Sequence, residues 1–205
     1  MRSRVALTRC WPYSQIGSGG LSTLELVVSV GIAMVVSAIA IPSITKAVRV
    51  YQLNDAATQV AGVVKLTRFE AIRRNTPVSC VTSQATANGP ANLWSDSNGD
   101  NVEQGTEKQI LLGVSATLMP EAAVPSAAAL APAVGVPTIT ALNPASDSVR
   151  FDQRGAVTPA GVYVIYVGNN AGADGGFRAV VVLPSGSVQV WTYAGSASAV
   201  WQQVN

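Results

Sequence analysis

The sequence predicts an α+β fold in which one long amino-terminal helix packs against a carboxyl-terminal antiparallel β-sheet head. Three observations predict it. Residues 26–44 form an uncharged apolar run, and residues 53–68 carry apolar side chains at helical spacing. Beyond Pro77 the pattern changes to short extended segments separated by Gly, Pro and Asn. A chain of 205 residues is long enough for one domain with extensions and a sizeable core.

The first twenty residues carry Arg2, Arg4 and Arg9 and no acid. Such a leader stays on the cytoplasmic side of a membrane by the positive-inside tendency, which Lys46 and Arg49 weaken without reversing. From Leu26 to Ile44 nineteen uncharged residues, at about 1.5 Å each, reach roughly 28 Å, close to the hydrocarbon thickness of a bilayer. An ordinary secretory signal would be cleaved at Ala38-Ile39-Ala40. The helical pattern does not stop there. It continues through Pro42 into a stretch with Leu53, Ala56, Ala57, Val60, Val63 and Val64 on one face. Asp55, Thr58, Gln59, Gly62, Lys65 and Arg68 fall on the other face. A helix reaching about Arg74 spans roughly 80 Å, and Asn75-Thr76-Pro77 ends it, because the residue before a proline is pushed out of the α region.

In the remainder, Val78–Thr82, Gln109–Gly113, Pro137–Leu142, Ser148–Asp152, Val162–Val167, Phe177–Leu183 and Ser187–Tyr193 read as strands. Pro184-Ser185-Gly186 joins the last two as a hairpin. Residues 121–145, rich in Ala and Pro, read mainly as a loop crossing the sheet.

Composition narrows the chemistry. The chain contains no histidine, which removes His-based acid–base catalysis, Ser-His and Cys-His nucleophile pairs and His metal ligation. Its two cysteines are Cys10 and Cys80, so loss of the first twenty residues leaves Cys80 without an intramolecular disulfide partner. The formal charge of +2 also resides in that leader; beyond it, ten Lys and Arg face eleven Asp and Glu. Nothing in this balance suggests a nucleic-acid binder.

Glu25 is the residue that an ordinary signal and a plain anchor leave unexplained. It is the lone acid at the head of an apolar run, and a carboxylate in hydrocarbon usually has a partner and a task. Around it, Gly20-Leu21-Ser22-Thr23-Leu24-Glu25 resembles the prepilin-type signal of type IV pilins and pseudopilins. The resemblance implies that a prepilin peptidase cuts between Gly20 and Leu21 and methylates the Leu21 amine. Glu25 then stands fifth in the mature chain, and Pro42 corresponds to a helix-kinking proline. Leu21 and Thr23 depart from the family's usual Phe and Leu. Physically, the Glu25 carboxylate of one subunit can pair with the Leu21 amine of a neighbour, and desolvated opposite charges reward correct register. A carboxylate snorkelling to the interface is the simpler reading of Glu25, but it leaves the spacing from Gly20 unexplained.

Head segments extend the resemblance to the GspH/FimT-like group: "LWSDSNGDNVEQGTEKQILL" (93–112), "VRFDQRGAV" (149–157) and "FRAVVVLPSGSVQVW" (177–191). The implied organisation is a leader (1–20), a membrane-spanning helical part (21–45), an amphipathic helical part (46–76) and a periplasmic β-rich head (77–205). The implied function is that of a non-enzymatic minor pilin or pseudopilin without cofactors. Anchored in the bacterial inner membrane, it would join other pilins in a type II secretion pseudopilus or type IV pilus, as a priming or tip subunit. Two alternatives stand beside it: a DNA-binding minor pilin for DNA uptake, and a plain membrane-anchored periplasmic domain.

Four further groups are candidates. Asp96, Asn98, Asp100 and Glu107 occupy positions 1, 3, 5 and 12 of an EF-hand-like calcium loop, although Asn101 replaces the sixth-position Gly. An Asx-rich turn between strands explains them more simply. Cys80, in "VSCVT", reads as a small core residue. Arg73 and Arg74 suit the negative pole of the helix. Arg150, Arg154 and Arg178 are the head arginines available to DNA phosphates, and Trp191, Tyr193 and Trp201 could stack bases. Because the tail "SASAVWQQVN" lacks Lys and Arg, DNA is the disfavoured partner and the aromatics read as packing.

Overall fold

The computed structural model describes residues 22–87, 89–113, 115–169, 175–193 and 200–204. The chain divides into two compact units, residues 1–41 and 42–205. In the first unit the described residues are helical from Thr23 onward, and their side chains are exposed apart from a half-buried Ala40. They open helix α1, Thr23–Arg74, which continues through Pro42.

In the second unit, α1 buries Leu53, Ala56, Ala57, Val60, Ala61, Val63, Val64, Thr67 and Ala71. This is the apolar face that the 3.6-residue period predicts. Asp55, Thr58, Gln59, Gly62 and Lys65 remain exposed, whereas Arg68 is half-buried. The helix stops where Asn75 turns left-handed, at φ 53°, ahead of Pro77.

Among the described residues the head contains two sheets, where the sequence pattern predicts one. The first is built from β1 (Val78–Ser83), β2 (Ala91–Asp96), β3 (Gln109–Leu112), β6 (Ser146–Phe151) and β7 (Val157–Thr158) in the order β3-β2-β1-β6-β7. The second contains β4 (Thr117–Met119), β5 (Thr140–Ala141), β8 (Tyr163–Gly168), β9 (Phe177–Val182), β10 (Val188–Tyr193) and β11 (Gln202–Val204). Its order is β11-β10-β9-β8-β4, with β5 parallel to β8 and every other pair antiparallel. Of the expected strand at 137–142 only Thr140–Ala141 pairs, and β2, β4, β7 and β11 were not among the expected strands. The hairpin between β9 and β10 is closed by Leu183 N–H donating to Ser187 O at 2.9 Å, with Gly186 at φ 76°.

Two cores follow from strand alternation. The helix face shares one cluster with Val78, Cys80, Leu93, Val149 and Phe151 of the first sheet and Ile165, Val167, Val180 and Val182 of the second. The opposite parity of the second sheet, including Val164, Tyr166, Ala179 and Val181, forms another cluster with Val124, Leu130, Tyr193 and Trp201. Residues 121–145 therefore do more than cross the sheet. Two short 3-10 turns and helix α2 (Leu130–Val134) lie in this segment, whose Val124 and Leu130 cover the sheet's second face. A strand covered on both faces loses its polar alternation. All six residues of β9 are accordingly buried.

Candidate functional site

Gly20 and Leu21, the residues flanking the expected cut, lie outside the described residues. Glu25 falls in the first turn of α1, where an acid complements the positive end of the helix dipole. It is exposed, and its backbone carbonyl accepts a hydrogen bond from Ser29 Oγ at 2.7 Å. Ser37 Oγ donates to Ala33 O at the same distance. Both serines thus satisfy their hydroxyls inside the helix, which suits an environment without water. The most apolar 18-residue window of α1 has a mean hydropathy of 2.4 and none of it is buried. Leu24, Ile39 and Met34 are 72%, 72% and 69% exposed. So long an exposed apolar surface is suited to a bilayer or to other apolar helices, and the helix is long and apolar enough to cross a membrane.

The three head arginines occupy different environments. Arg150 is exposed on β6, opposite Ser79 of β1, and Arg154 is exposed in the turn that follows. Arg178 is only 4% exposed. Strand parity turns it toward α1, where its Nε donates to Asn54 Oδ1 at 2.7 Å and its Nη1 to Phe177 O at 2.9 Å. Burial lowers its pKa. Arg178 thus ties β9 to α1, and only Arg150 and Arg154 stand on the surface. Trp191, Tyr193 and Trp201 are buried, and Trp201 Nε1 donates to Ser126 O at 3.0 Å.

Arg68 performs a second tie that the amphipathic pattern conceals. Its Nε donates to Gly155 O at 3.0 Å. Val157 N–H donates to Pro184 O at 3.0 Å, joining the β6–β7 turn to the β9–β10 hairpin beside that contact.

Of the four candidate calcium ligands Asp96 ends β2 and the other three lie in the loop that follows, but their oxygens serve that segment itself. Asp96 accepts the N–H groups of Gly99 and Asn101 at 2.7 and 3.0 Å. Glu107 accepts those of Ser97 and Gln104 at 2.9 and 3.3 Å. Asn98 accepts from Asp100 N–H at 3.1 Å, and Asp100 from Val102 N–H at 2.8 Å. Among the described residues no group of three or more Cys, Asp or Glu is placed to hold a metal ion.

Arg73 and Arg74 converge on Glu70 at the end of α1. Arg73 binds it bidentately, Nε to Oε2 at 2.9 Å and Nη2 to Oε1 at 2.6 Å, while Arg74 Nε also donates to Oε1. The Arg73 hydrogen bond, helped by Arg74 and opposed by desolvation, holds the Glu70 carboxyl down at about 2. Cys80 is fully enclosed, and burial pushes its thiol up to about 12, where it is a core residue and not a nucleophile.

Across the outer face of the first sheet, two adjoining depressions of about 380 Å³ each share Asn101 and Ser148. Both are open, and their described lining residues are mostly polar.

Comparison with known proteins places residues 56–186 in the family described as type II transport protein GspH. Two crystal forms of the Pseudomonas aeruginosa (strain PAO1) type IV minor pilin FimU are similar in structure. One is 15% identical, covering 67% of this chain and 91% of that chain at a TM-score of 0.44. The other is 14% identical, covering 68% and 88% at the same TM-score. No curated protein matches the chain.

Proposed function

The chain belongs to the GspH family of type II transport proteins, and from that premise we propose that it is a non-enzymatic minor pilin or pseudopilin. In this reading a prepilin peptidase removes residues 1–20 and methylates the Leu21 amine. The apolar part of α1 holds the precursor in the inner membrane with the head in the periplasm. The mature chain then enters a filament of related subunits, in the priming or tip position that the resemblance implies.

The observation that carries the reading is the contrast within α1. Its carboxyl half buries one face in the head's core, while the most apolar 18-residue window of α1 has none of its residues buried. Such a surface is complete only in a bilayer or among other helices. Glu25 at its head supplies the charge that would fix register against a neighbour's Leu21 amine. In the alternative DNA-uptake reading, surface contacts would fall to Arg150 and Arg154, since Arg178 is engaged with Asn54.

The test separates processing from assembly. Glu25→Ala should still be cut after Gly20, because the peptidase acts at Gly20 and Leu21. It should lose most of its co-purification with filament partners from detergent-solubilised membranes. Leaving one member of a buried ion pair unpartnered costs about 3–5 kcal/mol. Glu25→Gln keeps the shape without the charge and should behave in the same way. Recovery of both variants with partners at the wild-type level would reduce Glu25 to an interfacial carboxylate.

A further inference from the structure

We infer that the outer face of the first sheet holds a binding groove for an extended peptide carrying a carboxylate, with Arg150 as the charge that receives it. All of its lining residues lie between Pro77 and Tyr163, so the site is independent of the membrane segment. Its two depressions, of about 380 Å³ each, join at Asn101 and Ser148. Each falls within the range of roughly 300–1,000 Å³ typical of ligand sites. Strand register lays out the floor. Ser79 of β1 pairs with Arg150 of β6 on one side and Asp96 of β2 on the other, and Val81 lies likewise between Ser148 and Trp94. Gly99 and Asn101, in the loop after β2, add a wall. Ser79 lines the first depression and Ser83 the second. Between them β1 runs about 13 Å, a length suited to an extended segment and not to a single ion.

Charge identifies the occupant. Neighbouring strands lie about 4.8 Å apart, so Arg150 and Asp96, on either side of β1, are separated by about 10 Å. Both Asp96 oxygens accept N–H groups, from Gly99 and Asn101, and both Asp147 oxygens do so from Asn143 and Ser148. The acids that line the groove are therefore already engaged. Arg150 is exposed, and among the described residues its guanidinium has neither an ion pair nor a hydrogen bond. The hydroxyls of Ser79 and Ser148 beside it are also without a hydrogen bond among the described residues. One unpaired guanidinium matches one carboxylate, which it can bind bidentately. A polyanion such as nucleic acid would need several cations, and beyond its leader the chain carries more acid than base.

Trp94 points to a peptide in particular. It lines the second depression, is only 4% exposed, and its Nε1 has no hydrogen-bond partner. A buried donor without an acceptor is unfavourable, and a ligand carbonyl seated at that floor would complete it. A peptide brings such carbonyls beside its carboxylate, and serine hydroxyls donate or accept as its backbone demands. The wall is set before any ligand arrives. Asn101 is held left-handed at φ 56°, its N–H donating to Asp96 Oδ2 at 3.0 Å, so binding has little to order there. The solvated face of an ordinary antiparallel sheet also shows serines, but it does not enclose a tryptophan N–H without an acceptor.

The experiment uses the full chain in a neutral detergent, titrated into two fluorescently labelled peptides, acetyl-TVETV-amide and acetyl-TVQTV-amide, and read by anisotropy. The peptides differ by a single carboxylate. The glutamate peptide should bind about tenfold more tightly, through a charge-assisted bond to Arg150. Arg150→Gln should abolish the difference, and Arg150→Lys should restore part of it. Arg154→Gln, in the exposed turn outside the groove, should leave it unchanged. Trp94→Phe keeps a ring without its N–H and should weaken both peptides alike. Equal binding of the two peptides by the wild type, or a difference that survives Arg150→Gln, would overturn the assignment. So would an equal loss in Arg154→Gln, which would make the attraction diffuse, or full-strength binding by Trp94→Phe. A duplex oligonucleotide that binds more tightly than the glutamate peptide and is released by Arg150→Gln would make nucleic acid the occupant, and would overturn it as well.

Discussion

At Gly186 a side chain has nowhere to go. The residue has φ 76°, and a Cβ built on it would lie 2.0 Å from Gly155 O and 2.8 Å from Arg68 Nε. The clash is with backbone on one side and a hydrogen-bonded guanidinium on the other, so neither neighbour yields cheaply. Gly186→Ala should lower the stability of the head by about 2 kcal/mol or more, read by denaturant titration. A second residue-scale consequence concerns Glu70. Its carboxyl sits below its ordinary value, so the cluster with Arg73 and Arg74 contributes stability that is full above about pH 4.5 and is lost as the pH falls toward about 2. Melting temperatures across that window should drop more steeply for the wild type than for Glu70→Gln, and parallel curves would show that the cluster contributes nothing measurable. The roles of Arg68 and Arg178 were the least legible in sequence. An arginine on a strand or a polar helix face reads as solvated, and only the parity of β9 against α1 shows that Arg178 points at Asn54.

The elements differ in how openly the sequence declares them. Helix α1 was legible to within a residue or two at its carboxyl end, because its apolar period, the pair Arg73 and Arg74, and Pro77 all agree. Strand β2, "ANLWSD", was hidden because polar Asn92, Ser95 and Asp96 interrupt its apolar residues and the Asx turn follows at once. Residues 121–145 carry little period of their own, so their role depends on what they cover. The signal lay elsewhere, in β9: Ala179, Val180, Val181 and Val182 are apolar at both parities, which implies two covered faces and a segment to cover the second. Leu130 of α2 tests this point, since it is completely buried in the second core. Leu130→Ala should destabilise the head by about 2–5 kcal/mol in denaturant unfolding. A loss under about 0.5 kcal/mol would mean that the segment is only a connection.

At the scale of the whole molecule, one helix carries two kinds of surface. Its half beyond Leu53 is the spine of the head's core, and its half before Ile44 exposes Leu, Val, Ile and Met along an uncharged run headed by Glu25. The apolar run and the amphipathic stretch after it were legible in the sequence from their length and their 3.6-residue period. The proposed pairing of Glu25 rests on its spacing from Gly20 in the sequence, because the proposed partner belongs to another subunit. The family match covers residues 56–186, whereas the proposed processing concerns residues that precede them. The most direct test of the central claim is therefore the intact mass of the mature protein recovered from membranes. The account predicts a chain that begins at Leu21 and carries one additional methyl group on its amine. A chain beginning at Ile41, after Ala38-Ile39-Ala40, would mean that the apolar run is an ordinary secretory signal, and would contradict the claim.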